Sequence, residues 1–154
     1  MLFKNGYSLL ANSHFSPFKD EDGVRYRSVE HYIHAQKALR YNDYLVYQEI
    51  LAERSARKIK DIPVDGYSYA DWSAVVFEVM KKGLMLKFTS CAEAKEKLVL
   101  TGDAKIIFAT PYDNVFGNGL PFEADDSTEE KKWKGWNTLG RLLEEIRQII
   151  TTQQ

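Results

Sequence analysis

Cysteine, histidine and unbalanced charge are all scarce in this chain, and so are long apolar runs. One cysteine, Cys91, among 154 residues excludes a disulfide framework and a cysteine-based zinc site, and it favours a reducing compartment. The histidines number three. His31 and His34 stand three apart with one carboxylate beside them and only His14 elsewhere, too few ligands for a metal centre. The formal net charge of −1, with 21 basic and 22 acidic residues, excludes bulk electrostatic capture of nucleic acid and leaves only a local basic cleft for that purpose. No apolar run approaches a membrane span, and the opening residues show no charged-then-apolar signal pattern. The expectation is a cytoplasmic protein with no membrane partner. There is no repeat and no low-complexity tract.

What is present is ordinary globular composition, 28% charged and 44% hydrophobic, in a chain of common domain size. The expectation is a single domain over residues 1–154, of α+β class, mostly helical with a small β-sheet. Residues 1–27 are aromatic and turn-rich, with Phe3, Tyr7, Phe15 and Phe18, and Asp22-Gly23 marks a hairpin before Val24-Arg25-Tyr26. Ser28 caps a helix running from about Val29 to Leu39, with Glu30 in the first turn where the helix dipole favours an anion. Residues 43–58 read as a second helical stretch with Leu45, Ile50, Leu51 and Ala56 on its core side, interrupted by Pro63 and Gly66. Asp71 caps a long third helix whose Val75, Val76, Val79, Met80, Leu84 and Phe88 form a buried stripe. Residues 92–100 read as helix and Lys105–Ala109 as a short buried strand. Gly117 and Gly119 mark a loop, and a polar segment spans 123–134. The last helix opens at Asn137 or Thr138 and carries Leu139, Leu142, Leu143, Ile146, Ile149 and Ile150.

The densest chemistry lies in Ser28-Val29-Glu30-His31-Tyr32-Ile33-His34-Ala35-Gln36-Lys37. On a helix, Glu30 and Lys37 fall on nearly one face about 10 Å apart along the axis, with His34 between them. Two further pieces are candidates to join them. Trp72, at the start of the third helix, offers a platform for a nucleobase or similar ring. The Phe116-Gly117-Asn118-Gly119 loop and the N–H groups opening the last helix suit close backbone approach to a phosphate. Each has an ordinary structural reading as well. Glu30 serves as a first-turn carboxylate, His31 and His34 as satisfied polar groups, Trp72 as core, the glycine pair as a turn and Asn137 as a helix cap.

These pieces follow one another in an order that resembles the NADAR (YbiA-like) family. Ser28-Val29-Glu30-His31-Tyr32 through Ala35-Gln36-Lys37-Ala38 is similar to that family's EHYYQAQK signature, with His34 where glutamine is usual. Trp72, Val79-Met80 and Lys87-Phe88 resemble its W…VM…KF helix, and Thr101-Gly102-Asp103 its T-G-D step. Gly117-x-Gly119 resembles its WGxG, with Phe116 in place of tryptophan. Asn137-Thr138-Leu139-Gly140-Arg141-Leu142-Leu143 through Ile146-Arg147 resembles its NxLGxLLMxIR ending. Near the start, Asn12-Ser13-His14-Phe15 stands for LSNF, with His14 where an asparagine is expected.

The resemblance implies an N-glycosidase that hydrolyses a bond between ribose C1′ and a nitrogen. Its substrate would be a phosphorylated ribosylaminopyrimidine intermediate of riboflavin biosynthesis or ADP-ribosylated guanine in nucleic acid. The partner would then be a nucleotide-like small molecule or ADP-ribosylated DNA, with no cofactor. Glu30 would stabilise positive charge at C1′ or activate water. Lys37, if partly neutral, would capture an opened ribose as a Schiff base. The substrate-binding set would comprise Ser13, His31, His34, Trp72, Asp113, Gly117, Asn118, Gly119 and Asn137, with Trp72 stacking on the base. The rival is a non-catalytic module that holds ADP-ribose or NAD-like ligands without cleaving them.

Overall fold

The computed structural model describes residues 1–4 and 8–153. Tyr7 lies outside the described residues. Among those described, the order is β1 (Leu2–Phe3), β2 (Phe18–Lys19), β3 (Arg25–Tyr26), α1 (Val29–Arg40), α2 (Tyr44–Ala52), α3 (Ala56–Ile59), α4 (Tyr69–Ser90), α5 (Ala92–Leu100), β4 (Ile107–Phe108) and α6 (Thr138–Thr152). Two short 3-10 turns lie between β4 and α6, at Asp125–Thr128 and Glu130–Lys132. The fold is α+β and mostly helical, with strands only two residues long. No helix among the described residues is long and apolar enough to cross a membrane. Backbone contacts divide the chain into two units, Asn12–Ala92 and Met1–Ala11 with Glu93–Gln154.

The Asn12–Ala92 unit is built around α1. The Asp22-Gly23 turn closes an antiparallel β2–β3 pair in which Phe18 faces Tyr26. Tyr26 and Tyr32 meet edge to face at 5.0 Å and Phe18 joins them, so the hairpin seats on α1 through aromatic rings. Helix α1 begins where expected: the Ser28 hydroxyl accepts the His31 backbone N–H, and Glu30 lies in the first turn. Its inner face, Val29, Tyr32, Ile33, Ala35 and Ala38, is buried against α2, α3 and α4.

Three expectations need correction here. The stretch 43–58 is two helices, α2 and α3, broken at Glu53–Ser55, where Ser55 caps anew by accepting the Lys58 N–H. Within it Leu45 is 86% exposed and only Ile50 is buried, because α2 is apolar around much of its circumference and pattern alone cannot choose its inner face. Ser68, not Asp71, caps α4, accepting the Asp71 N–H. Asp71 occupies the first turn and is clamped by Arg40 through two bonds of 2.7 and 2.8 Å. The α4 stripe is buried at Trp72, Met80, Leu84, Lys87 and Phe88, with Val75, Val76 and Val79 half-buried along its margin.

In the other unit, β1 pairs in parallel with β4, and Phe3 stacks on Phe108 at 5.2 Å. The expected strand at 105–109 is two residues long, although Ile106 through Ala109 are all buried. Helix α6 covers β4 with Leu139, Leu143, Ile146 and Ile150, each worth roughly 2 kcal/mol when withdrawn from water. Asn137 occupies the cap position with φ of 52°, yet its side chain does not cap. Its Oδ1 accepts the Phe108 N–H at 2.9 Å and its Nδ2 donates to the Ile106 carbonyl at 2.9 Å. The amide thus completes the open edge of β4. Asn137→Ala leaves two buried backbone groups unsatisfied and is expected to cost about 3 kcal/mol, measured as a lower urea midpoint at unchanged slope.

Candidate active site

Glu30 sits one residue inside α1, its N–H donating to the Asn12 carbonyl at 2.9 Å. Its side chain is only 13% exposed. His34, one turn on, lies 3.1 Å from Oε1, and the Lys60 ammonium lies 3.9 Å from Oε2. Burial pushes this carboxyl up, but the His34 hydrogen bond, the Lys60 charge and the nearby imidazoles outweigh it, holding Glu30 below the ordinary carboxylate range. Glu30 is therefore an ionised, largely desolvated carboxylate at neutral pH. Since a carboxylate only accepts, His34 Nε2 carries the shared proton.

Lys37 lies two turns further along the same helix, with its Nζ 3.9 Å from the centre of the Tyr67 ring. Burial lowers its pKa, and no neighbouring charge contributes. Glu30 and Lys37 do not form an ion pair with each other: the acid is engaged by His34 and Lys60, the amine by an aromatic face. The two groups stand about 10 Å apart along the axis of α1.

The other expected residues fall into distinct situations. His31 is 1% exposed and wholly engaged by protein. Its Nε2 donates to the Glu53 carbonyl at 2.7 Å and its Nδ1 lies 2.7 Å from the Ser28 hydroxyl, so it ties the start of α1 to the end of α2. Burial lowers its pKa and keeps it neutral. Ser13 is half-buried in the turn following Asn12, and Trp72 is 8% exposed, its ring largely enclosed. All of these belong to the Asn12–Ala92 unit.

Asp113, Gly117, Asn118, Gly119 and Asn137 belong to the other unit. There the Asp113 carboxylate accepts the N–H groups of Val115 and Phe116 at 2.9 and 2.8 Å. Buried Asn118 accepts the Leu120 N–H and donates to the Ser127 carbonyl, fastening the loop to the 3-10 turn behind it. A Cβ on Gly117 would stand 2.4 Å from the Thr110 methyl, and Gly119 has φ of 77°, so both glycines are required by the loop's own packing. A cleft of about 410 Å³ opens beside this loop, lined by Lys4, Thr110, Tyr112, Phe122 and Glu123 among others. Among the described residues no three His, Cys, Asp or Glu side chains are grouped to hold a metal ion.

Two residues that the sequence motifs include are given no role by them. Asn12 is 5% exposed, and among the described residues its Oδ1 has no hydrogen-bond partner, although its backbone anchors Glu30. It, and not the position of His14, places an asparagine against the start of α1. The signal lies in the Asn12-Ser13 pair, two residues before the position where the resemblance expects an asparagine. Lys87 is completely buried in α4, and burial lowers its pKa to about 7.

The role of His34 can be isolated. His34→Leu removes the donor from Glu30, so the carboxyl rises and the acidic limb of the pH–rate profile moves to higher pH. An unmoved limb in kcat/KM against pH would show that His34 does not set the state of Glu30.

A mostly helical α+β fold carrying an ionised acid and a desolvated amine on one helix defines a class, and comparison with known proteins identifies it. The family model described as the NADAR domain matches residues 2–151. The chain is 32% identical over 130 residues to N-glycosidase R617 of Acanthamoeba polyphaga mimivirus, covering 83% of this chain and 76% of that protein. It is 31% identical over 137 residues to N-glycosidase YbiA of Escherichia coli (strain K12), covering 86% of this chain and 76% of that one. The NMR structure of the E. coli protein YbiA matches with a TM-score of 0.76 and 28% identity, over 99% of this chain and 86% of that chain. The chain belongs to the NADAR family.

Proposed function

We propose that this protein is an N-glycosidase, a hydrolase of the bond between ribose C1′ and a nitrogen, with Glu30 and Lys37 as its reacting groups. The observation that carries this reading is the pairing on α1 of a buried carboxylate kept ionised with an amine whose charged form is disfavoured by burial. The names of two relatives, N-glycosidase R617 and N-glycosidase YbiA, support the same chemistry. Cleavage develops positive charge at C1′, which an anion stabilises strongly in a site that excludes water.

Two courses use the same residues. In direct hydrolysis Glu30 takes a proton from water as it adds to C1′, and the electron pair of the C1′–N bond leaves on the base nitrogen, which gains that proton. In the covalent course the neutral Lys37 Nζ forms the bond to C1′ while the C1′–N bond breaks toward the base. Glu30 carries the proton released by Nζ to the departing nitrogen. A proton from solvent, passed on by Glu30, opens C1′–O4′ as the Nζ electron pair makes the iminium to C1′. Water then adds at C1′, gives a proton back through Glu30, and the C1′–Nζ bond breaks to leave the free amine and the ribose aldehyde.

The substrate is a phosphorylated ribosylaminopyrimidine or ADP-ribosylated guanine. The buried Oδ1 of Asn12, without a hydrogen-bond partner among the described residues, is an acceptor for a sugar hydroxyl, and exposed Lys60 is a cation near the carboxylate. In the other unit Asn137, Asn118 and Asp113 have their side chains taken up by the backbone. Incubation of the protein with each substrate, followed by chromatography for the free base, tests the reading. A thermal shift with ADP-ribose but no base released from either substrate supports a ligand-holding module instead.

A further inference from the structure

The loop joining α3 to α4 brings one aromatic ring onto the amine of α1. Tyr67 is 41% exposed, and the Lys37 Nζ stands 3.9 Å from its ring centre, well within the range of a cation–π contact. The ring is not free to wander. Tyr41 packs against it edge-on, 5.9 Å between centres with planes at 89°. The Tyr41 hydroxyl lies 2.7 Å from Asp71 Oδ2 and 3.1 Å from the Ser68 carbonyl, immediately after Tyr67. Arg40 grips the same Asp71 from the end of α1. Tyr67 is thus braced through Tyr41 at the junction of α1 and α4, with its face toward the amine.

We propose that Tyr67 is the positioning residue for Lys37: its ring is the π face that holds the Nζ cation, as an ammonium at rest and as an iminium during turnover. This rests on the covalent course described above. Both cations place positive charge on the same nitrogen, and a ring at this distance favours each of them over the neutral amine. Burial acts the other way on the resting ammonium, so the contact sets how far desolvation can lower Lys37. An amine held between these opposing effects deprotonates to attack and regains a stabilised charge once bonded to carbon. None of this asks anything of the Tyr67 hydroxyl.

The test titrates Lys37 itself. Trace reductive methylation by formaldehyde and cyanoborohydride, read at the α1 peptide by mass spectrometry against pH, gives the midpoint of that amine without any glycosidic substrate. Tyr67→Leu keeps an apolar cover but removes the π face, and the midpoint is expected to fall by roughly one pH unit, a tenfold faster reaction at pH below it. Tyr67→Trp, the stronger π partner, is expected to raise it, and Tyr67→Phe to leave it in place. With substrate, the leucine variant is expected to lose about tenfold in kcat with KM little changed, since loss of the iminium's stabilisation outweighs the larger neutral fraction of the resting amine. Leucine and tryptophan variants that titrate as wild type, or that shift in the same direction, overturn the proposal. Should leucine fail to fold, the tryptophan and phenylalanine variants decide it. Opposed midpoint shifts with no base released from any substrate would uphold the contact and refute the glycosidase reading alone.

Discussion

Glu30→Gln is expected to abolish most base release, by roughly a thousandfold in kcat, in a protein that still folds. Glutamine has the same length and shape, and its Oε1 still accepts from His34, so α1 keeps its first turn and its Ser28 cap. What disappears is the negative charge and the capacity to take up a proton. Both matter at the moment when C1′ becomes electron-poor and water or Nζ must shed a proton. The stability difference between wild type and variant has its own pH dependence. Glu30 is held below its ordinary value of 4.5, so its ionisation adds stability above that value and the contribution is lost as pH falls through the folded-state pKa. The urea midpoints of the two proteins are therefore expected to converge on acidification. A Glu30→Gln variant with near-normal turnover removes Glu30 from the chemistry. One that is unfolded at neutral pH returns it to the role of a first-turn anion.

Much of the frame that carries this acid is legible without any coordinates. Ser28 followed by Glu30 is a local start signal, and its physical basis, a hydroxyl accepting a nearby N–H, requires nothing distant. The α6 stripe is equally plain because Leu139, Leu143, Ile146 and Ile150 repeat at helical spacing against polar intervals. What escapes is set by partners remote in sequence. Asn137 reads as a cap, yet its amide serves β4 some thirty positions earlier. Asp71 also reads as a cap, but Ser68 takes that task and leaves the carboxylate to Arg40 and Tyr41. Leu45 reads as inward-facing but is exposed, because a helix apolar on several sides offers no phase. The covering of Lys37 by Tyr67 has no signature at all, since thirty residues and two helices separate them. Motif recognition thus picks out the candidate reacting groups, while their immediate surroundings emerge only from packing.

Borohydride added during turnover is expected to leave a ribosyl adduct on the α1 peptide at Lys37, and Lys37→Met is expected to lose the adduct together with more than a thousandfold of kcat. An exposed lysine is almost wholly charged at neutral pH and cannot attack carbon. Burial shifts Lys37 toward the neutral amine, and with no carboxylate paired to it among the described residues nothing opposes that shift except the Tyr67 ring. Methionine matches the length and apolar stem of lysine, so the packing of α1 against its neighbours survives the change. Lys37→Arg makes the comparison sharper: it keeps a cation for Tyr67 and any phosphate but supplies no nucleophile. If the amine only assists electrostatically, arginine retains activity within about tenfold of wild type and no mass is trapped. If the imine forms, arginine is as inactive as methionine. Unchanged intact mass together with an active Lys37→Arg variant assigns bond cleavage to water activated by Glu30, with the lysine reduced to holding charge beside the sugar.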